Sequence, residues 1–134
     1  MPTVAHDRLQ NIGQALLVGA GASEAEAEIV ARRCIGANLA GHDSHGIITI
    51  PTYIDRVKKG HIVPGAPYEV EAESNSHMVV NGNWGFGYVV TDRTTRTLIE
   101  KARTSNVAAA TVYQQSHIGR LANYPLIAAD HDMI

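Results

Sequence analysis

The chain is short of the features that would place it in several large classes. It holds one cysteine, Cys34, among 134 residues, which excludes an internal disulfide and a cysteine-built zinc site. Cys34 lies in a helical pattern, where a buried, inert thiol is expected, set against a reactive nucleophile. No apolar run approaches the roughly 20 residues that a membrane-spanning helix needs. No long run of like charge occurs either, and 11 basic against 13 acidic residues leave a net charge of −2. A general nucleic-acid binder would show a basic patch, so none is expected as a partner. The first residues, Met-Pro-Thr-Val-Ala-His-Asp-Arg, have no signal-peptide layout, and cytoplasm is the expected compartment. Internal repeats and low-complexity tracts are absent. What is present, 45% hydrophobic and 18% charged residues, has the balance of a globular chain. Its length suits one domain that buries roughly two thirds of its unfolded surface.

Periodicity divides the chain into a helical part, residues 1–66, and a mixed part, residues 67–134. Leu9, Ile12, Leu16 and Leu17 recur at helical spacing and predict a first helix over 5–18, broken at Gly19 and Gly21. Ser23 with Glu26 reads as a capping box opening a second helix that ends near Gly41. Gly36 inside that helix costs about 1 kcal/mol against alanine and would permit a close helix contact. Pro51 suits the first turn of a third helix, which Lys58, Lys59 and Gly60 close. Residues 61–67 hold two prolines and a glycine and predict a loop at a subdomain boundary. Alternation of Tyr68, Val70 and Ala72 with Glu69, Glu71 and Glu73 predicts a strand with one wet face. Met78, Val79 and Val80 predict a short second strand, ended by Asn81-Gly82. Residues 89–103 return to helical spacing, 107–112 read as a short buried strand, and 121–130 as a helix with Pro125 near its first turn. The fold class is thus α/β (α+β): a helical subdomain followed by a small mixed sheet that looks incomplete.

Two polar clusters interrupt this framework. Gly41-His42-Asp43-Ser44-His45-Gly46 packs two imidazoles, a carboxylate and a hydroxyl between glycines that let the backbone turn sharply. Histidine exchanges protons near neutral pH. Asp43 would orient an imidazole, and Ser44 would hydrogen-bond a substrate oxygen or act as a nucleophile activated by His45. The plainer alternative is that Asp43 or Ser44 caps the next helix and His45 is a hydrogen-bonded core residue. His42 and His45 also resemble half a metal site, although no third clustered ligand accompanies them; no metal is expected. In Ser116-His117-Ile118-Gly119-Arg120, His117 follows a strand, where ligands sit in α/β sheets. Gly119 would admit a ligand to the backbone, and Arg120 would hold a phosphate or carboxylate. The alternative is a glycine turn with a solvent-facing arginine. Gly82-x-x-Gly85-x-Gly87 lacks the order of a dinucleotide fingerprint and reads as a structural corner.

Taken together, Asn38-Leu39-Ala40-Gly41-His42-Asp43-Ser44-His45-Gly46, Pro51-x-Tyr53, Gly60-x-Ile62-x-Pro64, Asn81-Gly82-x-x-Gly85-x-Gly87, the strand at Val107-Ala108 and Ser116-His117-Ile118-Gly119-Arg120 resemble the malate/L-lactate dehydrogenase-like family. Its members are NAD(P)-dependent 2-hydroxyacid and imino-acid oxidoreductases without a Rossmann fold, and this chain resembles their N-terminal portion. The resemblance implies that Ser44 and His45 are the substrate and proton-transfer pair, with His45 also on the nicotinamide side. It implies that His117 is a second active-site histidine and that Gly119, Arg120 and Leu121 contact the cofactor, NAD or NADP. The substrate implied is a small 2-hydroxy or 2-oxo acid such as malate or lactate. The unperturbed histidine pKa of about 6.5 suits proton transfer in both directions. Many members carry an arginine four residues after the motif histidine; here the position is Thr49. Members are much longer, so a homodimer or higher oligomer is expected. The alternative to the enzyme is an inactive fragment that serves as an oligomerisation module.

Overall fold

The structure is a computed structural model that describes residues 3–134. Two compact units divide the chain, the first ending at Gly65 and the second running Ala66–Ile134. The first unit is helical: α1 (His6–Gly19), α2 (Glu24–Leu39), two single 3-10 turns (Asp43–His45 and Ile47–Thr49) and α3 (Ile50–Lys58).

α2 starts as its sequence dictates. Ser23 Oγ accepts the Glu26 N–H at 3.3 Å, and the Ser23 N–H donates to Glu26 Oε2 at 3.0 Å, a closed capping box that satisfies two otherwise unpaired donors. Of its six buried residues, Ala27, Val30, Ala31, Cys34 and Ile35 follow the three- and four-residue rhythm of one helix face, and Ala37 is buried beside them near the helix end. Burial of a side chain the size of Val30 contributes about 1.5–3 kcal/mol. The sulfur of Cys34 is buried in this stripe.

α1 departs from the predicted stripe. Leu17 is fully buried, but Ile12 and Leu16 are 45% and 49% exposed. The reason is Gly13, which forms the close-contact edge together with Leu17 one turn on. A Cβ at Gly13 would lie 2.7 Å from Ile50 Cδ1 and 2.8 Å from Ile47 Cδ1. The close contact expected at Gly36 does not exist, since nothing lies within 4 Å of a Cβ built there.

In the second unit, β1 (Glu69–Glu73), β2 (His77–Gly85), α4 (Gly87–Ser105), β3 (Ala109–Gln115) and α5 (Asn123–Ala129) follow in order. The sheet order is β1-β2-β3, with β1 antiparallel and β3 parallel to β2. A parallel pair needs a crossover connection, and α4 supplies it. Met78, Val80 and Val90 form the buried cluster between sheet and helix, joined by Tyr68, Leu98, Ala110 and Val112. Ile99, Tyr124 and Ile127 form a second cluster that seats α5. Lys101 ties α4 to the end of β1, with Nζ 2.6 Å from Glu73 Oε1. The α/β class of the sequence reading stands. Among the described residues no helix is long and apolar enough to cross a membrane.

The strands differ in detail from expectation. β1 has no dry face, and all five of its residues are exposed, because α4 packs on β2 and β3. β2 does not stop at Asn81-Gly82; it continues to Gly85 through an irregularity, pairing passing from Asn81↔Tyr113 to Gly85↔Gln115. Asn83 and Trp84 adopt left-handed φ of 47° and 62° there. The Asn83 amide donates to Pro67 O at 3.0 Å and Glu69 Oε2 at 2.9 Å, and the residues just past the expected strand end form a bulge. β3 is not buried. It begins at Ala109 and alternates exposed with half-buried residues, as an edge strand covered on one face does. α5 is shorter than predicted, with Pro125 in its first turn.

Candidate functional site

Each polar cluster is described in the unit that carries it. The first is launched by the C-terminus of α2. The Gly41 N–H donates to Asn38 O at 2.9 Å and the His42 N–H to Ala37 O at 2.8 Å, the bond pair of a Schellman motif. That motif needs a left-handed residue, and Gly41 takes φ 75°. The chain then folds into the turn Asp43–His45, closed by the His45 N–H on His42 O at 3.0 Å.

On this turn the Ser44 hydroxyl and His45 Nδ1 are 2.9 Å apart. Ser44 is exposed and His45 half-buried, so the pair is both ordered and reachable. The His42 ring meets the His45 ring edge-on, centroids 5.9 Å apart. Asp43 is not a helix cap: neither 3-10 turn nor α3 has a side-chain cap. Its carboxylate instead accepts from Asn38 Nδ2 at 2.6 Å. Thr49, four residues after His45, turns inward. Its hydroxyl donates to Gly46 O at 2.7 Å and lies 3.7 Å from the Cys34 sulfur.

The second cluster follows β3. Ser116 Oγ accepts the Gly87 N–H at 2.9 Å, fastening the segment to the start of α4. Gly87 has to be glycine, because a Cβ there would strike the carbonyls of Ser116 and His117. The glycine series at 82, 85 and 87 is thus the structural corner that the sequence suggested. The His117 ring is exposed and stands edge-on to Tyr88, centroids 6.4 Å apart. Gly119 has φ 73°, and the space a Cβ would need is filled by the Tyr88 phenol. Its glycine is therefore required by a neighbouring side chain of the chain itself. Tyr124 pins the turn by donating to Ile118 O at 2.5 Å. Among the described residues, Arg120 Nε and Asn123 Nδ2 find no hydrogen-bond partner although both are buried. Buried donors are nearly always paired, so two orphans three residues apart suit a ligand with acceptor oxygens, such as a phosphate or carboxylate. Leu121 is exposed beside them.

The structure thus gathers Ser44 with His45, and His117 with Gly119, Arg120 and Leu121. Sequence reasoning gave no role to three participants. Asn38 stood in the motif without a function of its own, Tyr88 drew no expectation, and Asn123 fell inside the helix predicted over 121–130. Only the left-handed glycines 41 and 119 hinted that their neighbours were constrained. Among the described residues no group of three or more His, Cys, Asp or Glu side chains is placed to hold a metal ion.

The family described as malate/L-lactate dehydrogenase matches residues 4–134. The chain belongs to that family. Hydroxycarboxylate dehydrogenase B of Escherichia coli (strain K12) is 36% identical over 113 residues, 84% of this chain and 31% of the relative. L-sulfolactate dehydrogenase of Methanothermobacter thermautotrophicus is 35% identical over 119 residues, 89% of this chain and 35% of that protein. Among solved structures, malate dehydrogenase from Pyrococcus horikoshii OT3 superposes with a TM-score of 0.94 at 29% identity, covering 97% of this chain and 37% of that one. The chain therefore spans about a third of the length of the malate/L-lactate dehydrogenase relatives it matches.

Proposed function

We propose that this chain is an NAD(P)-dependent oxidoreductase, or part of one, acting on a small 2-hydroxy or 2-oxo acid such as malate or lactate. The observation that carries the reading is the Ser44–His45 hydrogen bond of 2.9 Å, on a turn that the family match includes. Names of the relatives, which include malate, sulfolactate and hydroxycarboxylate dehydrogenases, support a hydroxy-acid substrate class.

The roles follow from the side chains. Ser44 orients the His45 ring through Nδ1 and offers its hydroxyl to a substrate oxygen. His45 takes the substrate hydroxyl proton at Nε2 in oxidation and returns it in reduction. A bound nicotinamide supplies the hydride acceptor or donor for the carbon that bears the hydroxyl. On the second unit, the backbone of Gly119, Arg120 and Leu121 serves the cofactor, and the orphaned donors of Arg120 and Asn123 fit its anionic groups. His117, exposed in the second unit's cluster, is a further histidine able to hold or move a proton. Thr49 cannot make the forked ion pair that an arginine makes with a carboxylate, and its hydroxyl is already given to Gly46.

Titration of the purified chain with NADH and NADPH, followed by nicotinamide fluorescence, tests the reading. Saturable binding, with a 2-oxoacid reduced by the wild type and not by a folded His45→Ala variant, is the expected result. Undiminished turnover in that variant would overturn the role of His45. No binding of either nucleotide to the folded chain would remove the activity from this polypeptide.

A further inference from the structure

We infer that Asn38 is the positioning residue of the Ser44–His45 pair, a deepening that rests on the reading of that pair as the proton-handling site. Asn38 is the penultimate residue of α2, a helix whose buried stripe fixes it in the first unit. It spans the whole histidine turn with three hydrogen bonds. Its carbonyl accepts the Gly41 N–H at 2.9 Å. Its side-chain Nδ2 donates to Asp43 Oδ1 at 2.6 Å. Its Oδ1 accepts the Ile47 N–H at 2.8 Å. The residues held by the side chain, Asp43 and Ile47, lie on either side of Ser44 and His45.

Gly46 completes the device. A Cβ built at Gly46 would fall onto the Asn38 amide group itself. Gly46 has φ −87° and ψ −160°, a conformation any residue adopts. Glycine is thus required there by the Asn38 side chain, not by the backbone. The second glycine of the hexapeptide is present so that the asparagine can reach across the turn. An amide suits the place because it must donate on one side and accept on the other, which neither a carboxylate nor an ammonium does. The small 3-10 turn has no side-chain cap, so this amide is what ties its two ends to a rigid helix.

The experiment uses the full chain and two independent readouts. Side-chain 15N–1H correlation spectra, with His45 assigned by its own substitution, report the ring tautomer and titration curve whether or not the chain is active. Asn38→Ala is expected to shift the tautomer ratio of neutral His45 towards that of free imidazole and to broaden its signal. If turnover is present, kcat should fall about 10- to 100-fold, the scale of a small misplacement of a catalytic group, with KM changed less. Gly46→Ala should reproduce the spectral change. The double variant should show less than the sum, because removal of the amide removes the collision. Asp43→Ala changes an exposed side chain and so tests one arm of the clamp even if Asn38→Ala fails to fold; its shift should be partial and in the same direction, whereas Asp43→Asn keeps the acceptor and should retain the wild-type tautomer. Folded Asn38→Ala and Asp43→Ala variants whose His45 spectra superimpose on the wild type would overturn the inference. Absence of nucleotide binding with an altered His45 spectrum would leave the clamp standing and remove the proposed activity instead.

Discussion

Tyr113 and Glu71 show what single residues on the open sheet face do to each other. The two strands are separated by β2, yet the Tyr113 hydroxyl crosses over Asn81 to donate to Glu71 Oε1 at 2.5 Å. The hydrogen bond to Glu71 holds the phenol above its ordinary value of 10.0, with partial loss of hydration and the Glu71 charge adding to the shift. A raised folded value favours the protonated form in the fold. The contribution is complete below the ordinary tyrosine value and is lost as pH rises through the raised one. The phenolate absorbance titration of the wild type minus that of Tyr113→Phe should therefore isolate a late-ionising tyrosine, and Glu71→Gln should lower the midpoint of that difference curve. A Glu71→Gln variant with an unchanged titration would show that the contact is not held in solution. The alternation of glutamates in β1 was legible in the sequence; their use was not, because Glu71 and Tyr113 are 42 residues apart and only the sheet order brings them together. Asn38 is the same case at the candidate site. Its donor and acceptor partners are nearby in sequence, but nothing in the local pattern says that a helix-end asparagine will reach forward over five to nine residues.

At the scale of the element, the glycines of the two long helices of the first unit have opposite meanings that their spacing does not reveal. Gly36 sits inside α2 with no atom within 4 Å of a Cβ, whereas a Cβ at Gly13 in α1 would press on Ile47 and Ile50. Gly36→Ala should stabilise the chain by roughly 0.5–1 kcal/mol through lower unfolded-state entropy, raising the melting temperature by about 2–4 °C. Gly13→Ala should destabilise it by about 1–3 kcal/mol, as overpacking does. Paired thermal and urea melts check both signs; a destabilised Gly36→Ala would mean that α2 is packed on that face in solution. The same contrast explains which elements could be read in advance. The capping box of α2 is local, so its start was legible. Its buried face was legible only in part, because of the apolar positions Ile29, Val30, Ile35 and Leu39 only Val30 and Ile35 are buried, and alanines and Cys34 fill the rest of the face. The dry face of β3 and the end of β2 depend on what packs beside them. The apolar run at 107–112 looks buried, yet the strand is an edge; Asn81-Gly82 looks like the end of the strand, yet pairing with β3 carries it on to Gly85.

The three-stranded sheet of the second unit differs sharply at its two edges. β1 ends the sheet on one side with Glu69, Glu71 and Glu73, and such charges discourage a further strand from docking. β3 ends it on the other side with the sequence Ala-Ala-Thr-Val-Tyr-Gln-Gln, which carries no charge and a row of backbone groups open to pairing. Exposed apolar side chains occur in both units, among them Leu39 at 68% and Ile48 at 72% in the first and Val107 at 71% and Leu121 at 69% in the second. Scattered exposed apolar residues are ordinary; an uncharged open sheet edge is a different matter. The 134-residue chain is therefore predicted to self-associate through β3, which tests the expectation of a homodimer or higher oligomer. Sedimentation velocity should show an average mass that rises with concentration. Thr111→Lys, an exposed position in mid-strand, should suppress that rise without changing helix content, because a buried lysine at a paired edge is costly while a solvated one is not. A chain that stays monomeric throughout, or a Thr111→Lys variant that associates as before, would place the interface elsewhere and leave the exposed side chains of the first unit, Leu39 and Ile48, as the next positions to charge.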